Sequence, residues 1–175
     1  MNIKRLLVAG IVGAGKSSFV QTVGEMGTIS TEQLATDETA ALKPTTTVAL
    51  DFSRVSLPTG IVHVYGTPGQ ARFSFMWELL LQRAHLLLVL VPVHRPTDFV
   101  QSQQIIGFIQ QRSPISPVIG FTHTDHTNAL PPSTVLSALG YTTEPLPQVV
   151  TVNPLDRASV LNALALVIDG VCNGC

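Results

Sequence analysis

The stretch GIVGAGKS, residues 10–17, decides how the rest of the chain is interpreted. It fits the pattern Gly-x-x-x-x-Gly-Lys-[Ser/Thr] and lies between an apolar segment that predicts a strand and an amphipathic segment that predicts a helix. Glycines let consecutive backbone N–H groups curl around a phosphate, and the start of the helix adds the positive end of its dipole. The pattern therefore predicts a bound nucleoside phosphate rather than an ordinary glycine turn.

The side chains of this loop have distinct expected roles. Lys16 supplies a positive charge for the β- and γ-phosphates and stabilises charge during phosphoryl transfer, whereas the Ser17 hydroxyl is placed to bind Mg²⁺. The predicted phosphate-binding residues are Gly10, Gly13, Ala14, Gly15, Lys16, Ser17 and Ser18.

The composition limits the classes of partner. The chain has 175 residues and a net charge of −1 without a basic run, which argues against a surface for nucleic acid. The hydrophobic share of 45% suits a sheet buried on both faces, although a sticky partner surface would also account for it. The longest apolar run, AHLLLVLVPV at 84–93, is shorter than the about 20 residues that span a bilayer. The start MNIKRLLVAGIVGAGK runs into a glycine loop rather than a cleavage site, so a signal peptide is not expected. We therefore expect one domain, residues 1–175, in the cytoplasm.

Apolar, β-branched segments alternate with amphipathic segments along the chain, as in βαβ units. Strands are predicted at 3–9, 48–56, 61–65, 85–91, 117–121 and 148–152. Helices are predicted at 16–23, 72–82, 96–111, 133–139 and 156–171, and a polar loop at 25–46. The turn LPTG should join the second and third strands as a hairpin. This order predicts an α/β fold with a six-stranded, mostly parallel sheet, helices on both faces and a ligand site at the carboxyl ends of the strands.

Two further segments resemble the switches of Ras-like small GTPases, which share the P-loop NTPase fold, and the resemblance covers nearly the whole chain. TTVALDF at 46–52 resembles the first switch, which implies that Thr47 joins the Mg²⁺ shell; an ordinary strand-edge threonine is the alternative. YGTPGQARF at 65–73 resembles the second switch, which implies that Gly69 contacts the γ-phosphate and Gln70 orients the attacking water. Gly66 stands where the family has an aspartate that contacts Mg²⁺ through a water molecule.

The closer likeness is to bacterial small GTPases of the gliding-motility and polarity type, and to relatives described as similar to the signal-recognition-particle-receptor β subunit. Those proteins carry Thr-Val-Pro-Gly-Gln or Gly-Thr-Pro-Gly-Gln in the second switch, and GTPGQARFSFMWELL at 66–80 looks very like them. The resemblance implies a switch that binds GTP or GDP with Mg²⁺, hydrolyses GTP slowly and has a regulatory partner, for which a roadblock-domain protein is the candidate. The alternative is a degenerate module that holds nucleotide without hydrolysing it, since positions 66, 122 and 154 depart from the family pattern.

The family recognises the base through Asn-Lys-x-Asp, which here reads THTD, Thr122 to Asp125. The Asp125 carboxylate can accept from both N1–H and N2–H of guanine, whereas adenine has an acceptor at N1, so Asp125 is expected to select guanine. A plain loop-capping role for Asp125 is the alternative. Thr122 lacks the amide that would tie this loop to the phosphate loop. His123 lacks the lysine stem that covers the purine, although an imidazole ring could stack there.

The last family motif, Ser-Ala-Lys, falls on NPL, Asn153 to Leu155. Asn153 is a candidate nucleotide-binding residue, but Pro154 has no N–H to offer the base. Together with Thr122, this change predicts guanine binding that is weaker than usual.

Three other features have less specific implications. HTDH at 123–126 contains zinc-ligand types, but it is a short loop segment and base recognition is the favoured reading. The cysteines Cys172 and Cys175 are interpreted as an inert or oxidisable tail. Phe73 and Trp77 should share one helix face, either as core or as part of a partner-binding patch.

Overall fold

A computed structural model describes residues 3–24, 50–67 and 74–172. Its strands are Ile3–Gly10 (β1), Asp51–Leu57 (β2), Gly60–Gly66 (β3), Leu86–Pro92 (β4), Val118–Thr122 (β5) and Val149–Thr151 (β6). Its helices are Lys16–Val23 (α1), Ser74–Arg83 (α2), Phe99–Arg112 (α3), Pro132–Ala138 (α4) and Arg157–Cys172 (α5). Each predicted strand and helix has a counterpart, with ends that differ by up to three residues.

The six strands form one sheet in the order β2-β3-β1-β4-β5-β6. Only β2 runs antiparallel to its neighbour, as the predicted hairpin requires, and the other neighbouring strands pair in parallel. The carboxyl ends of β1, β3, β4, β5 and β6 therefore meet at one edge of the sheet. A mostly parallel α/β sheet is thus confirmed, and the segments that follow these strands are brought together at that edge.

The central strand β4 shows why the sheet is covered on both faces. All seven of its residues are buried, and alternate side chains point to opposite sides. Leu86, Leu88 and Leu90 pack in a core that includes α1 and α5 residues. Leu87, Val89 and Val91 pack in a second core that includes residues of α2, α3 and α4. The continuous apolar run in the sequence is therefore a strand buried between two helical layers.

Two predicted elements begin three residues later than expected. The helix predicted at 96–111 is preceded by a 3₁₀ turn at Pro96–Asp98, in which the Asp98 N–H donates to the Arg95 carbonyl at 3.1 Å, and α3 begins at Phe99. The strand predicted at 48–56 begins at Asp51, with Leu50 outside it. Residues 48 and 49 and the predicted loop at 25–46 lie outside the described residues.

Candidate functional site

The phosphate loop joins β1 to α1 and is shaped by left-handed glycines. Gly13 and Gly15 have φ angles of 79° and 103°, which side chains with a Cβ rarely adopt. Lys16 is buried, and its Nζ donates to the carbonyls of Gly10 at 2.8 Å and Ile11 at 2.6 Å. Burial lowers the pKa of Lys16 to about 8, against the opposing charge of Asp51. These contacts hold a cationic group within a curl of backbone.

The loop opens onto a cleft with a volume of about 810 Å³ at the carboxyl edge of the sheet. The predicted site residues that line this cleft are Gly13, Gly15, Lys16, Ser17, Ser18, His123, Asp125 and Asn153. Gly10, Ala14 and Thr122 are buried behind it. Thr47, Gly69 and Gln70 lie outside the described residues. The structure therefore brings the predicted phosphate-binding and base-binding segments to one cleft.

An acid that the sequence analysis missed stands at the phosphate end of this cleft. The Ser17 hydroxyl donates to Oδ2 of Asp51 at 2.5 Å. Asp51 pairs with Gly66 across the β2–β3 hairpin. A Cβ on Gly66 would lie 3.1 Å from the Asp51 Cβ, so the glycine leaves room for the neighbouring carboxylate. The acid missing from position 66 is therefore matched by one on the adjacent strand.

A signal for Asp51 was present in the sequence. The turn at 58–59 pairs Leu57 with Gly60, and counting outward along an antiparallel hairpin places Asp51 opposite Gly66. Arg95 was also missed, and its Nη2 donates to the Val12 carbonyl of the phosphate loop at 3.1 Å. No local motif marks that contact, because it depends on how β1 and β4 pair.

The Thr122 side chain makes a connection to the phosphate loop that was expected to be lost with the asparagine of the family motif. Its hydroxyl is buried and donates to the Ala14 carbonyl at 2.9 Å. A threonine hydroxyl therefore connects the segment after β5 to the phosphate loop, and the expectation that Thr122 leaves these loops unconnected was wrong. The short side chain suffices because β5 ends close beneath the loop.

The loop after β6 packs directly on the phosphate loop. A Cβ on Gly15 would lie 2.7 Å from Cγ of Pro154, so the contact requires glycine. The Pro154 carbonyl accepts from the Thr22 hydroxyl at 2.6 Å, which fastens this loop to α1. Oδ1 of Asn153 accepts from the Leu155 N–H at 3.1 Å and closes a turn. Pro154 thus has a packing function that its missing N–H did not suggest.

The described residues bear on two of the less specific features of the sequence. Within residues 3–24, 50–67 and 74–172, no group of three His, Cys, Asp or Glu side chains is arranged to hold a metal ion. Trp77 is buried, and its ring meets Phe108 edge to face at 5.8 Å, as a core residue does. Phe73 and Cys175 lie outside the described residues.

None of the helices in the described part of the chain combines the length and the apolar character needed to cross a membrane.

Comparisons with known sequences show little close similarity. No protein-family model matches the chain. The uncharacterized protein MJ1339 of Methanocaldococcus jannaschii is 30% identical over 66 residues, a stretch that covers 38% of this chain and 42% of that protein. The aligned stretch is thus less than half of that relative's length.

Solved structures match over nearly the whole chain. The G domain of the T. maritima FeoB iron transporter has a TM-score of 0.71 at 15% identity, covering 98% of this chain and 99% of that one. The putative nucleolar GTP-binding protein 1 of Plasmodium falciparum gives 0.70 at 15% identity, covering 99% and 89%. The Arl6 BBS3 small GTPase of Trypanosoma brucei, solved with the nucleotide analogue GppNp, gives 0.73 at 13% identity, covering 99% and 100%. The chain therefore has the P-loop fold of small GTPase G domains.

Proposed function

We propose that this protein is a guanine-nucleotide-binding switch that hydrolyses GTP slowly under the control of a partner protein. The observation that carries this proposal is the cleft lined at one end by Lys16 and Ser17 and at the other by Asp125. The first end has the cation and the backbone loop that suit phosphates, and the second has the carboxylate that suits guanine. The simplest test is the identity of the nucleotide that co-purifies with the protein, with GDP or GTP expected and an adenine nucleotide contradicting the proposal.

The phosphate end also fits Mg²⁺. The Ser17 hydroxyl and the Asp51 carboxylate are oxygen donors of the kind that Mg²⁺ prefers, and they lie in contact with each other beside the phosphate loop. In the proposal, Ser17 and Thr47 bind the ion, and Asp51 takes the part of the acid that Gly66 lacks. When bound, the ion would neutralise charge on the β- and γ-phosphates.

Hydrolysis in this proposal depends on few protein groups. Gln70 orients a water for in-line attack, the Gly69 N–H contacts the γ-phosphate, and Lys16 stabilises the developing charge. Phosphoryl transfer needs little else from the protein, and an arginine from a partner would add about 10³- to 10⁵-fold in rate. A slow intrinsic rate of GTP hydrolysis is therefore what we expect of a protein whose hydrolysis is accelerated by a partner.

The finer assignment rests on sequence. The second switch GTPGQ supports membership of the bacterial gliding-motility and polarity type, for which a roadblock-domain protein is the expected partner. A single domain over residues 1–175 and a cytoplasmic location belong to the same proposal.

Replacing Gln70 with alanine is expected to slow phosphate release from GTP-loaded protein about 100-fold in a single turnover, because the water loses its orientation. Gln104→Ala, an exposed glutamine of α3, is the matched control and should leave the rate unchanged. If Gln70→Ala releases phosphate at the wild-type rate, the protein is better described as the degenerate module that holds nucleotide without acting as a switch.

Replacing Asp125 with asparagine is expected to weaken GDP binding about 100-fold, because the uncharged amide can accept from only one of N1–H and N2–H and sets its own N–H₂ against the other. Xanthosine diphosphate should gain affinity in the same variant, since xanthine has a carbonyl at C2 that the amide N–H₂ can donate to. Calorimetric titration with each nucleotide measures the loss of GDP affinity and the gain of xanthosine diphosphate affinity. Asp169→Asn on the exposed face of α5 is the control, and unchanged GDP affinity in Asp125→Asn would leave Asp125 as a loop cap.

A further inference from the structure

Three histidine rings lie in tilted contact beside the base-binding end of the cleft, and we call them the histidine stack. His94 follows β4, whereas His123 and His126 lie in the loop after β5. The ring centroid of His94 lies 4.4 Å from that of His123 and 4.5 Å from that of His126, with interplanar angles of 33° and 38°. His94 therefore contacts both of the other rings, and it has no part in the function proposed above.

Backbone hydrogen bonds hold the two loops of the stack together. β4 and β5 pair in register with Pro92 opposite Thr122, and the Val93 N–H donates to the Thr122 carbonyl at 3.1 Å. Farther along the loop after β5, the Leu130 N–H donates to the Val93 carbonyl at 3.0 Å. The stack is thus built on a fixed backbone frame.

The ring of His123 is held from two directions. The Thr122 hydroxyl gives its proton to the Ala14 carbonyl, so its oxygen accepts from Nδ1–H of His123 at 3.1 Å. The His123 backbone has a φ of 58°, an uncommon conformation for a residue with a Cβ. Its ring is therefore oriented by Thr122 in its plane and by His94 on its face, and the residue lines the cleft next to Asp125.

We propose that His94 is a positioning residue for base recognition, which holds the His123 ring where it covers the purine, and that protonation of the histidine stack weakens guanine-nucleotide binding. The inference rests on the proposed function, because it concerns the base end of the same cleft. Neutral aromatic rings attract one another when stacked, whereas two stacked imidazolium ions would repel. Positive charge on two neighbouring rings therefore works against the stacked arrangement.

The charged groups around the stack do not compensate for added positive charge. Arg95 lies next to His94 in the chain, and its Nε is 2.9 Å from Oδ2 of Asp98. Asp98 is thus already paired with a cation. Asp125 faces His123, but in the proposed complex its carboxylate accepts from guanine. A proton added to the stack would therefore lie close to the Arg95 cation. Neither Asp98 nor Asp125 would be free to neutralise it, because Asp98 pairs with Arg95 and Asp125 binds guanine.

Local solvation gives the direction of the pH effect. Burial lowers the pKa of His94 from its ordinary 6.5, the charges of His123, His126 and Arg95 lower it further, and Asp98 opposes them. Nδ1 of His94 is buried with no hydrogen-bond partner among the described residues, so protonation would place an N–H there without an acceptor.

Burial also lowers the pKa of His123 below 6.5, with Arg95 and His126 lowering it further and Asp125 opposing. Because both pKa values are lowered in the folded protein, the ordered stack binds fewer protons than a disordered one. Its stability is fully present above pH 6.5 and is lost as the pH falls through the lowered values.

The test is calorimetric titration of the full chain with GDP and Mg²⁺ between pH 7.5 and 5.5. Once the pH is below the lowered histidine pKa values, binding must release a proton from the stack. The wild-type protein should then lose about 10-fold in GDP affinity for each further pH unit and each proton released. His94→Phe keeps a flat ring without a titratable nitrogen, so it should bind as the wild type does at pH 7.5 and show a shallower loss. His94→Ala should bind about 2- to 10-fold more weakly at pH 7.5.

Two controls make the outcomes distinct. His85→Ala removes an exposed histidine next to β4 that is outside the stack, and it should follow the wild-type pH profile. Thermal melting of each variant at each pH shows whether it is folded. A wild-type affinity that does not fall with pH, or a slope unchanged in folded His94→Phe, would overturn the inference while leaving the proposed function in place. Absence of GDP binding at pH 7.5 would overturn both.

Discussion

Replacing Lys16 with alanine is expected to raise the Kd for GDP about 100-fold, because the charge-assisted hydrogen bond to the β-phosphate is lost. The measurement is titration with GDP at pH 7.5 in the presence of Mg²⁺. Lys16 is buried and bonded to two loop carbonyls, so the alanine variant also loses contacts within the protein.

Two further variants separate binding from folding. Lys16→Met keeps the buried stem without the charge, and it should lose GDP affinity while retaining a cooperative melting transition. Lys4→Ala changes a β1 lysine that does not line the cleft, and it should bind GDP as the wild type does. A folded Lys16→Met protein with wild-type affinity would contradict a phosphate site at this loop.

Replacing Asp51 with asparagine is expected to reduce the effect of Mg²⁺ on nucleotide retention by about 10- to 100-fold, the usual range when an outer partner of a metal site is removed. GDP dissociation is measured with Mg²⁺ and with EDTA, and the ratio of the two rates is compared. In the variant the two rates should approach each other, because the carboxylate next to the Ser17 hydroxyl is gone.

The hairpin register supplies a stringent test of this role. Moving the acid by combining Asp51→Gly with Gly66→Asp should restore much of the Mg²⁺ effect, since the two positions face each other across β2 and β3. Gly66→Asp alone brings a Cβ within 3.1 Å of the Asp51 Cβ and should destabilise the fold. A double variant that is folded but as insensitive to Mg²⁺ as Asp51→Asn would contradict the proposal that Asp51 takes the part of the acid missing at position 66.

Residues close in the sequence were the easiest to predict. The phosphate loop is a continuous strand-loop-helix segment, so its composition is enough to indicate where Lys16 and Ser17 lie. The apolar run of β4 likewise indicates a strand that is buried on both faces, because the hydrophobic pattern is read from neighbouring residues. The start of α3 was predicted less well, because a proline permits both a 3₁₀ turn and an α-helix at its first residues.

Substitutions in family motifs were harder to interpret. Gly66 and Thr122 each suggested a lost interaction, yet Asp51 stands opposite Gly66 and the Thr122 hydroxyl reaches Ala14. Pro154 similarly lacks an N–H but packs against Gly15. A motif comparison counts what a position has lost, whereas a neighbouring strand or loop can supply an equivalent group. These three positions therefore give less reason to propose a degenerate module.

The sequence by itself determined the α/β fold, the phosphate loop and the carboxylate expected to choose the base, because each depends on a short run of residues. Only the tertiary structure decided that Asp51 meets Ser17, that Thr122 meets Ala14 and that the His94 ring contacts those of His123 and His126. The first two contacts join residues 34 and 108 positions apart. Such contacts are set by strand order and register, which bring the ends of distant strands to one edge of the sheet.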